Sequence, residues 1–250
     1  MITYNQEHIL QPMPSHWGQI KWGRHFLHTL NGQLSPWLQK LYGNYLLKLG
    51  EFSAEIETEH CPVSQHVLLA QTGQHCQIRA DPAKLPLHNK SIDACLVIHT
   101  LDLHHNPHQV LREVDRVLVD DGWMLLTTFN PFSLIGLSRV SPTLGDTLFY
   151  QRRMFSEIRL CDWLTLLNYE ILHVRHIQCL PWRAVTSTAR SRDWLPGGCL
   201  NLVIARKRTF PLTPEKKRLL VLGQRLQPCV NLNQTRKKSR DCLGSRYLPT

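Results

Sequence analysis

The chain has 250 residues, of which 42% are hydrophobic and 19% charged, enough to bury a core of its own and too apolar for a disordered or collagen-like chain. Lys and Arg number 17 against 17 Asp and Glu up to residue 205 and 12 against 2 beyond it, so the whole net charge of +10 sits in the last 45 residues. A neutral body with a basic tail assigns any attraction to RNA or an anionic surface to the tail, not to the site of any chemistry.

Eight cysteines stand at least 13 residues apart, which excludes Cys-x-x-Cys pairs and zinc-ribbon spacing and reads as reduced thiols. Residues 1 to 30 are interrupted by His8, Pro12, His16 and Lys21 and lack the apolar stretch of a signal peptide. The stretch from Trp123 to Ser138 contains Asn130 and Pro131 and is too short to span a bilayer. A cytoplasmic protein with no stable membrane insertion is expected.

Residues 1 to 15 form a loose polar leader. From His16 to Tyr42, Trp17, Trp22, Phe26, Leu30, Leu34, Trp37 and Leu41 recur at steps of three to five, predicting one or two short helices broken around Gly32 and Pro36. These aromatics are either plain core or a lid over a substrate pocket. Short apolar runs then alternate with turn residues, as in an α/β protein. Tyr45 to Leu49, His66 to Ala70 and Cys76 to Ala80 read as strands, and Ile92 to Ile98 as a strand buried on both faces of a parallel sheet. Asn106 and Pro107 open an amphipathic helix to Leu118, with Val110, Leu111, Val114 and Val117 on one face. Asp120-Asp121-Gly122 ends that helix before a strand from Trp123 to Phe129. A helix over Met154 to Leu167 and strands over Glu170 to Leu180 and Cys199 to Lys207 complete the pattern. The expected organisation is a leader and helical lid over 1–42, an α/β domain over 43–207 and a weakly ordered basic tail over 208–250.

Asp81, Leu85-Pro86, Ser91-Ile92-Asp93, Arg112-Glu113, Arg116-Val117-Leu118 and Gly122 occur in one order within about fifty residues. This stretch resembles the class I S-adenosylmethionine-dependent methyltransferases, where an acidic residue ends the third strand, Leu-Pro follows, Ser-Phe-Asp opens the fourth, and Arg-Glu-x-x-Arg-Val-Leu leads to a glycine turn. The resemblance implies a Rossmann-like fold, a seven-strand mostly parallel sheet with helices on both faces. It also implies S-adenosylmethionine as cofactor and, from the branch resembled, a small-molecule methyl acceptor such as a quinone precursor or a carboxylate. By the resemblance Gly50, Glu51, Asp81, Pro82 and His99 are candidate cofactor contacts, with Asp81 beside the adenine.

The cofactor loop departs from the family. An acidic residue and Gly-x-Gly-x-Gly are expected, because backbone must come close to the methionine part of the ligand. The chain reads Leu47-Lys48-Leu49-Gly50-Glu51-Phe52-Ser53-Ala54. A carboxylate for the ribose hydroxyls is expected roughly 20 residues further on, near Ala70 and Gln71, yet no Asp or Glu lies between Glu59 and Asp81. Either Glu51, Glu55 or Gln71 substitutes, or the fold has become a non-catalytic scaffold or an RNA-associated protein working through its tail.

Methyl transfer to oxygen or nitrogen needs alignment of the nucleophile and removal of a proton. His99, Asp102, His104, His105 and His108 crowd the loop after the fourth strand, where ligands of open α/β sheets bind. His99 and His104 are the candidate catalytic residues. A metal reading of these histidines finds no carboxylate or Cys to complete a ligand set, and His105 and His108 read as solvated. Asn130-Pro131-Phe132 is similar to the Asn-Pro-Pro-Tyr signature of amino-group methyltransferases but follows the wrong strand.

Overall fold

A computed structural model describes residues 16–20, 22–72, 76–133, 136, 153–177 and 198–208. The chain divides into a unit of Met1–Phe210 and a second of Pro211–Thr250, and the second lies wholly outside the described residues, as do the expected leader and nearly all of the basic tail. Seven strands form one sheet: β1 Tyr45–Leu49, β2 Gln65–Ala70, β3 Ile78–Arg79, β4 Ile92–Ile98, β5 Leu118–Phe129, β6 Tyr169–Ile177 and β7 Leu200–Lys207. Their order is β3-β2-β1-β4-β5-β7-β6. All pairs are parallel except those of β7, which runs antiparallel to β5 and β6.

The alternation of β4 shows why both faces must be covered. Ala94, Leu96 and Ile98 belong to one core and Cys95 and Val97 to the other. On the first face lies α1, Gly23–Leu38, through Phe26, Leu30, Leu34 and Leu38. On the second lie α3, Pro107–Val117, and α4, Glu157–Leu166, through Val110, Val114, Leu160 and Leu164. A single helical turn, α2 at Thr100–Leu103, sits directly after β4. None of the helices among the described residues is long and apolar enough to cross a membrane.

Three boundaries differ from the sequence reading. The α1 helix runs unbroken through Gly32 and Pro36, because the buried stripe at every fourth residue outweighs two local breakers. The run Cys76 to Ala80 pairs with β2 only at Ile78 and Arg79. Asp120-Asp121-Gly122 does not stand between a helix and a strand; β5 starts at Leu118, and the register jumps from Ile92 opposite Leu118 to Ala94 opposite Trp123, a bulge in which Asp121 takes a φ of 62°. At Asn106 the expected cap is present, its side chain accepting from the Gln109 N–H with Pro107 at the first helical position.

The signatures that carried the family resemblance hold backbone together. Asp93 Oδ2 accepts the N–H groups of Asn44 and Tyr45 at 2.8 and 2.9 Å, fixing the entry to β1. The chain passes Asp93 so closely at Gly43, φ 129°, that a Cβ there would stand 2.3 Å from the Asp93 Cγ. On α3, Glu113 receives Arg116 through both carboxylate oxygens, at 3.1 and 2.8 Å, and the Leu85 N–H at 3.0 Å. Arg116 in turn donates to the Leu85 and Leu87 carbonyls. This pair clamps the Leu85-Pro86 loop onto the helix.

The Arg116 hydrogen bond, aided by the Leu85 N–H, holds the Glu113 carboxyl below its ordinary value of 4.5 against the opposing effect of burial. A depressed carboxylate contributes fully above its ordinary value and loses that contribution as pH falls through the folded one. Glu113→Gln is expected to lower stability at neutral pH by about 1.5 kcal/mol and to flatten the loss of stability on acidification, as read by urea titrations at pH 7 and below pH 4.5.

Candidate functional site

The parallel pairing of β1 with β2 on one side and β4 on the other places the loops after β1, β2, β3 and β4 along one edge of the sheet. The crevice falls at β1, where the strand order reverses, the place at which open α/β sheets bind ligands. Here the loop after β1 and the turn after β4 touch. Gly50 adopts φ 87°, and a Cβ on it would lie 2.5 Å from Thr100 Oγ1, while Thr100 Oγ1 donates to the Leu49 carbonyl at 2.7 Å. Glycine is required on both counts.

At Lys48 the family resemblance implies an acid. The Lys48 Nζ donates to the Ile56 carbonyl at 2.9 Å, and burial pushes its ammonium below the usual range. A carboxylate in this place only accepts and would draw loop N–H groups toward it; an ammonium only donates and takes a carbonyl. The loop is therefore tied down with inverted polarity.

A series of polar side chains links the outer loops. Glu51 Oε1 accepts from the Thr72 N–H at 3.0 Å and from Thr72 Oγ1 at 2.8 Å, which carries a carboxylate from the loop after β1 to the end of β2. Asp81 Oδ1 collects three donors: the Ala83 N–H at 2.9 Å, Gln71 Nε2 at 3.2 Å and His104 Nε2 at 3.1 Å. These donors, the Ala83 N–H foremost, hold the Asp81 carboxyl below its ordinary range. Its side chain is 41% exposed, and among the described residues these three donors all meet at Oδ1. Pro82 is buried beside it.

His104 Nδ1 accepts the Asn106 N–H at 3.0 Å. With that nitrogen accepting, the proton resides on Nε2 and is donated to Asp81. Both ring nitrogens are engaged, and the geometry gives His104 the task of orienting Asp81.

His99 lies in a different environment. It takes φ 54° at the end of β4 and is fully buried. Its ring stacks on Phe129 at 4.0 Å and meets Trp17 and Phe52 edge-on at 5.3 and 5.9 Å. Asp102 Oδ2 lies 2.8 Å from His99 Nδ1 and accepts the Phe129 N–H at 3.0 Å. A buried carboxylate on Nδ1 fixes the ring tautomer and its orientation. Trp17, from a 3-10 turn at Trp17–Gln19, donates its indole N–H to the Phe52 carbonyl at 3.1 Å and its backbone N–H to Glu55 Oε1 at 2.8 Å.

The structure thus brings Gly50, Glu51, Asp81, Pro82 and His104 to one edge with Gln71, and places His99 beneath an aromatic cover. Glu55 accepts the Trp17 backbone N–H within that cover. His105 is exposed beside His104, and His108 packs on Trp163 at 4.1 Å. The side-chain amide of Asn130 is taken up by the Gly198 carbonyl and the Phe132 N–H, a turn device at the end of β5. Three residues escaped the sequence reading as partners of the site: Thr72, Asp102 in its pairing with His99, and Phe52. The signal for Phe52 was present, as a bulky side chain in a glycine position.

Residues 33–126 match the model of a methyltransferase domain family. Over 200 residues the chain is 46% identical to the uncharacterized protein YafS of Escherichia coli strain K12, covering 80% of this chain and 83% of that one. The chain belongs to the YafS-type branch of the class I methyltransferases. Its fold is shared with a SAM-dependent methyltransferase from Archaeoglobus fulgidus, at TM-score 0.52 and 15% identity over 72% of this chain and 94% of that one. It is shared equally with the [4+2]-cyclase SpnF, at TM-score 0.51 and 15% identity over 77% and 84%. The family fold accordingly hosts more than one reaction, and chemistry has to be argued from side chains.

Asp102→Ala removes the acceptor of two buried groups, His99 Nδ1 and the Phe129 N–H. The expected loss is about 2 kcal/mol or more, measured by chemical denaturation. Asp102→Asn, which keeps an oxygen for Phe129, is expected to lose less.

Proposed function

We propose that the chain is an S-adenosylmethionine-dependent methyltransferase for a small-molecule acceptor, with a cofactor cradle rebuilt around a degenerate glycine loop. The observation that carries this reading is the Glu51 carboxylate, seated at the end of β2, where the sequence carries no acid of its own. It supplies the acceptor that ribose hydroxyls need, while Asp81 Oδ2 stands ready for the exocyclic amine of adenine. Gly50 and Pro82 complete the backbone walls of this half. When bound, the cofactor supplies a methyl group on a sulfonium, already activated for in-line displacement.

The chain's own work is then orientation and proton handling. His104 holds Asp81 ionised and aimed. His99, with Asp102 on Nδ1, is the group to take a proton from an acceptor at Nε2, once the aromatic cover over it is displaced. A second reading, a scaffold that no longer transfers methyl groups, draws support from that same cover, which fills the space beside the loop after β1.

Calorimetric titration with S-adenosylmethionine separates the two. Binding by the parent chain is expected, with Asp81→Ala and Glu51→Gln each weakening it roughly ten- to a hundredfold, as loss of a charge-assisted hydrogen bond does. Absence of heat at all concentrations, with no thermal stabilisation by the ligand, selects the scaffold.

A further inference from the structure

The two halves of the crevice differ in kind. Around Glu51, Thr72, Gln71 and Asp81 the side chains are polar and at least partly open to solvent. Around the loop after β1 and the turn after β4 they are aromatic and closed: Trp17, Phe52, His99 and Phe129 each have 0% relative exposure. The first half offers hydrogen-bond acceptors for a sugar and a purine amine. The second is where a glycine loop would leave room for the amino-acid end of the methyl donor. In this chain Phe52 fills a glycine position, and its carbonyl is bound by the indole of Trp17 at 3.1 Å, so side chain and backbone of the same residue are both committed to the cover.

We infer that Trp17 and Phe52 set the ligand specificity of this crevice, so that with Trp17 in place it takes the adenosine moiety alone and admits the methionine moiety only when the Trp17 turn leaves. The inference rests on the proposed cofactor reading for the identity of the two halves. Its physical basis is separate. Rings of Trp17 and Phe52 occupy that half, and the Trp17 indole N–H and His99 Nδ1 are already engaged, so bringing an ammonium and a carboxylate against them leaves those groups without their water. The adenosine part meets no such cost.

Trp17 donates its indole N–H to the Phe52 carbonyl and its backbone N–H to Glu55, an exposed side chain. Aromatic packing of Trp17 on Phe52 and His99 adds to that hold, and a ligand or an acceptor bound over His99 would have to replace it. Displacement of Trp17 therefore couples entry of the methionine moiety to uncovering of His99. A protein in the covered state then holds adenosine, and the states that bind donor and expose the base coincide.

The test is calorimetric titration of the parent chain and of Trp17→Ala and Trp17→Phe with adenosine, S-adenosylmethionine and S-adenosylhomocysteine. For the parent, adenosine is expected to bind at least as tightly as either methionine-bearing ligand. In Trp17→Ala the two methionine-bearing ligands are expected to gain about tenfold, equal to about 1.4 kcal/mol, while adenosine stays within about twofold, serving as the control for an intact fold. Trp17→Phe, which keeps an aromatic ring in place, is expected to retain the parent's preference. A parent chain that binds S-adenosylmethionine more than about tenfold tighter than adenosine overturns the inference and leaves the methyltransferase reading standing. Equal effects of Trp17→Ala on all three ligands overturn it as well, by showing that the tryptophan supports the fold and does not discriminate. Absence of binding by all three ligands to folded parent and variants overturns both.

Discussion

The register that pairs Leu46 through Leu49 of β1 with Ala94 through Val97 of β4 governs the rest of the molecule, because it sets two loops from opposite sides of the strand-order reversal directly against each other. At the lower end it is pinned by Asp93, which accepts the first two N–H groups leading into β1. At the upper end it brings Thr100 onto the Leu49 carbonyl and against Gly50. A shift of one residue would exchange Lys48 with a leucine neighbour and turn every side chain of β1 to the other face. Both cores and the crevice depend on that register, and the side-chain hydrogen bonds at the two ends are what specify it.

Much of the fold was legible in the sequence because its signatures are structural requirements. The fragments Ser91-Ile92-Asp93, Leu85-Pro86 and Arg112-Glu113 through Arg116 recur as a set for a mechanical reason: Asp93 caps β1, while Glu113 and Arg116 clamp the loop that contains Leu85. Those residues hold backbone together, so they announced the fold and were silent about the reaction. What sequence reading misjudged were places where tertiary packing overrides local preference. In α1 the breakers Gly32 and Pro36 yield to a stripe buried against the sheet, and β3 keeps only two paired residues because it stands at the sheet's edge with β2 as its single neighbour.

The site was legible only in part, since its decisive contacts join residues far apart in the chain. Asp81 and His104 were each visible as candidates, but the hydrogen bond between them and the Asn106 N–H on the other ring nitrogen were not. Trp17 posed a choice between core and lid in the sequence. In the structure it is fully buried and its ring meets that of His99, 82 positions away in the chain. No periodicity encodes such a contact. The displaced carboxylate of Glu51 is similar, since an acid in the first loop reaches the end of the second strand only through the hydrogen bonds that Thr72 provides.

The side chains around the loop after β1 form a mutually satisfied set. The Leu49 carbonyl receives Ser53 Oγ at 2.6 Å as well as Thr100 Oγ1, the Phe52 carbonyl receives the Trp17 indole, and the Ile56 carbonyl receives Lys48. Random loss of a ligand site would leave buried acceptors without partners, each costing about 1–3 kcal/mol. Here each of these carbonyls has a side-chain donor, while the Glu51 carboxylate reaches outward to Thr72. Such reciprocity holds the loop in one arrangement.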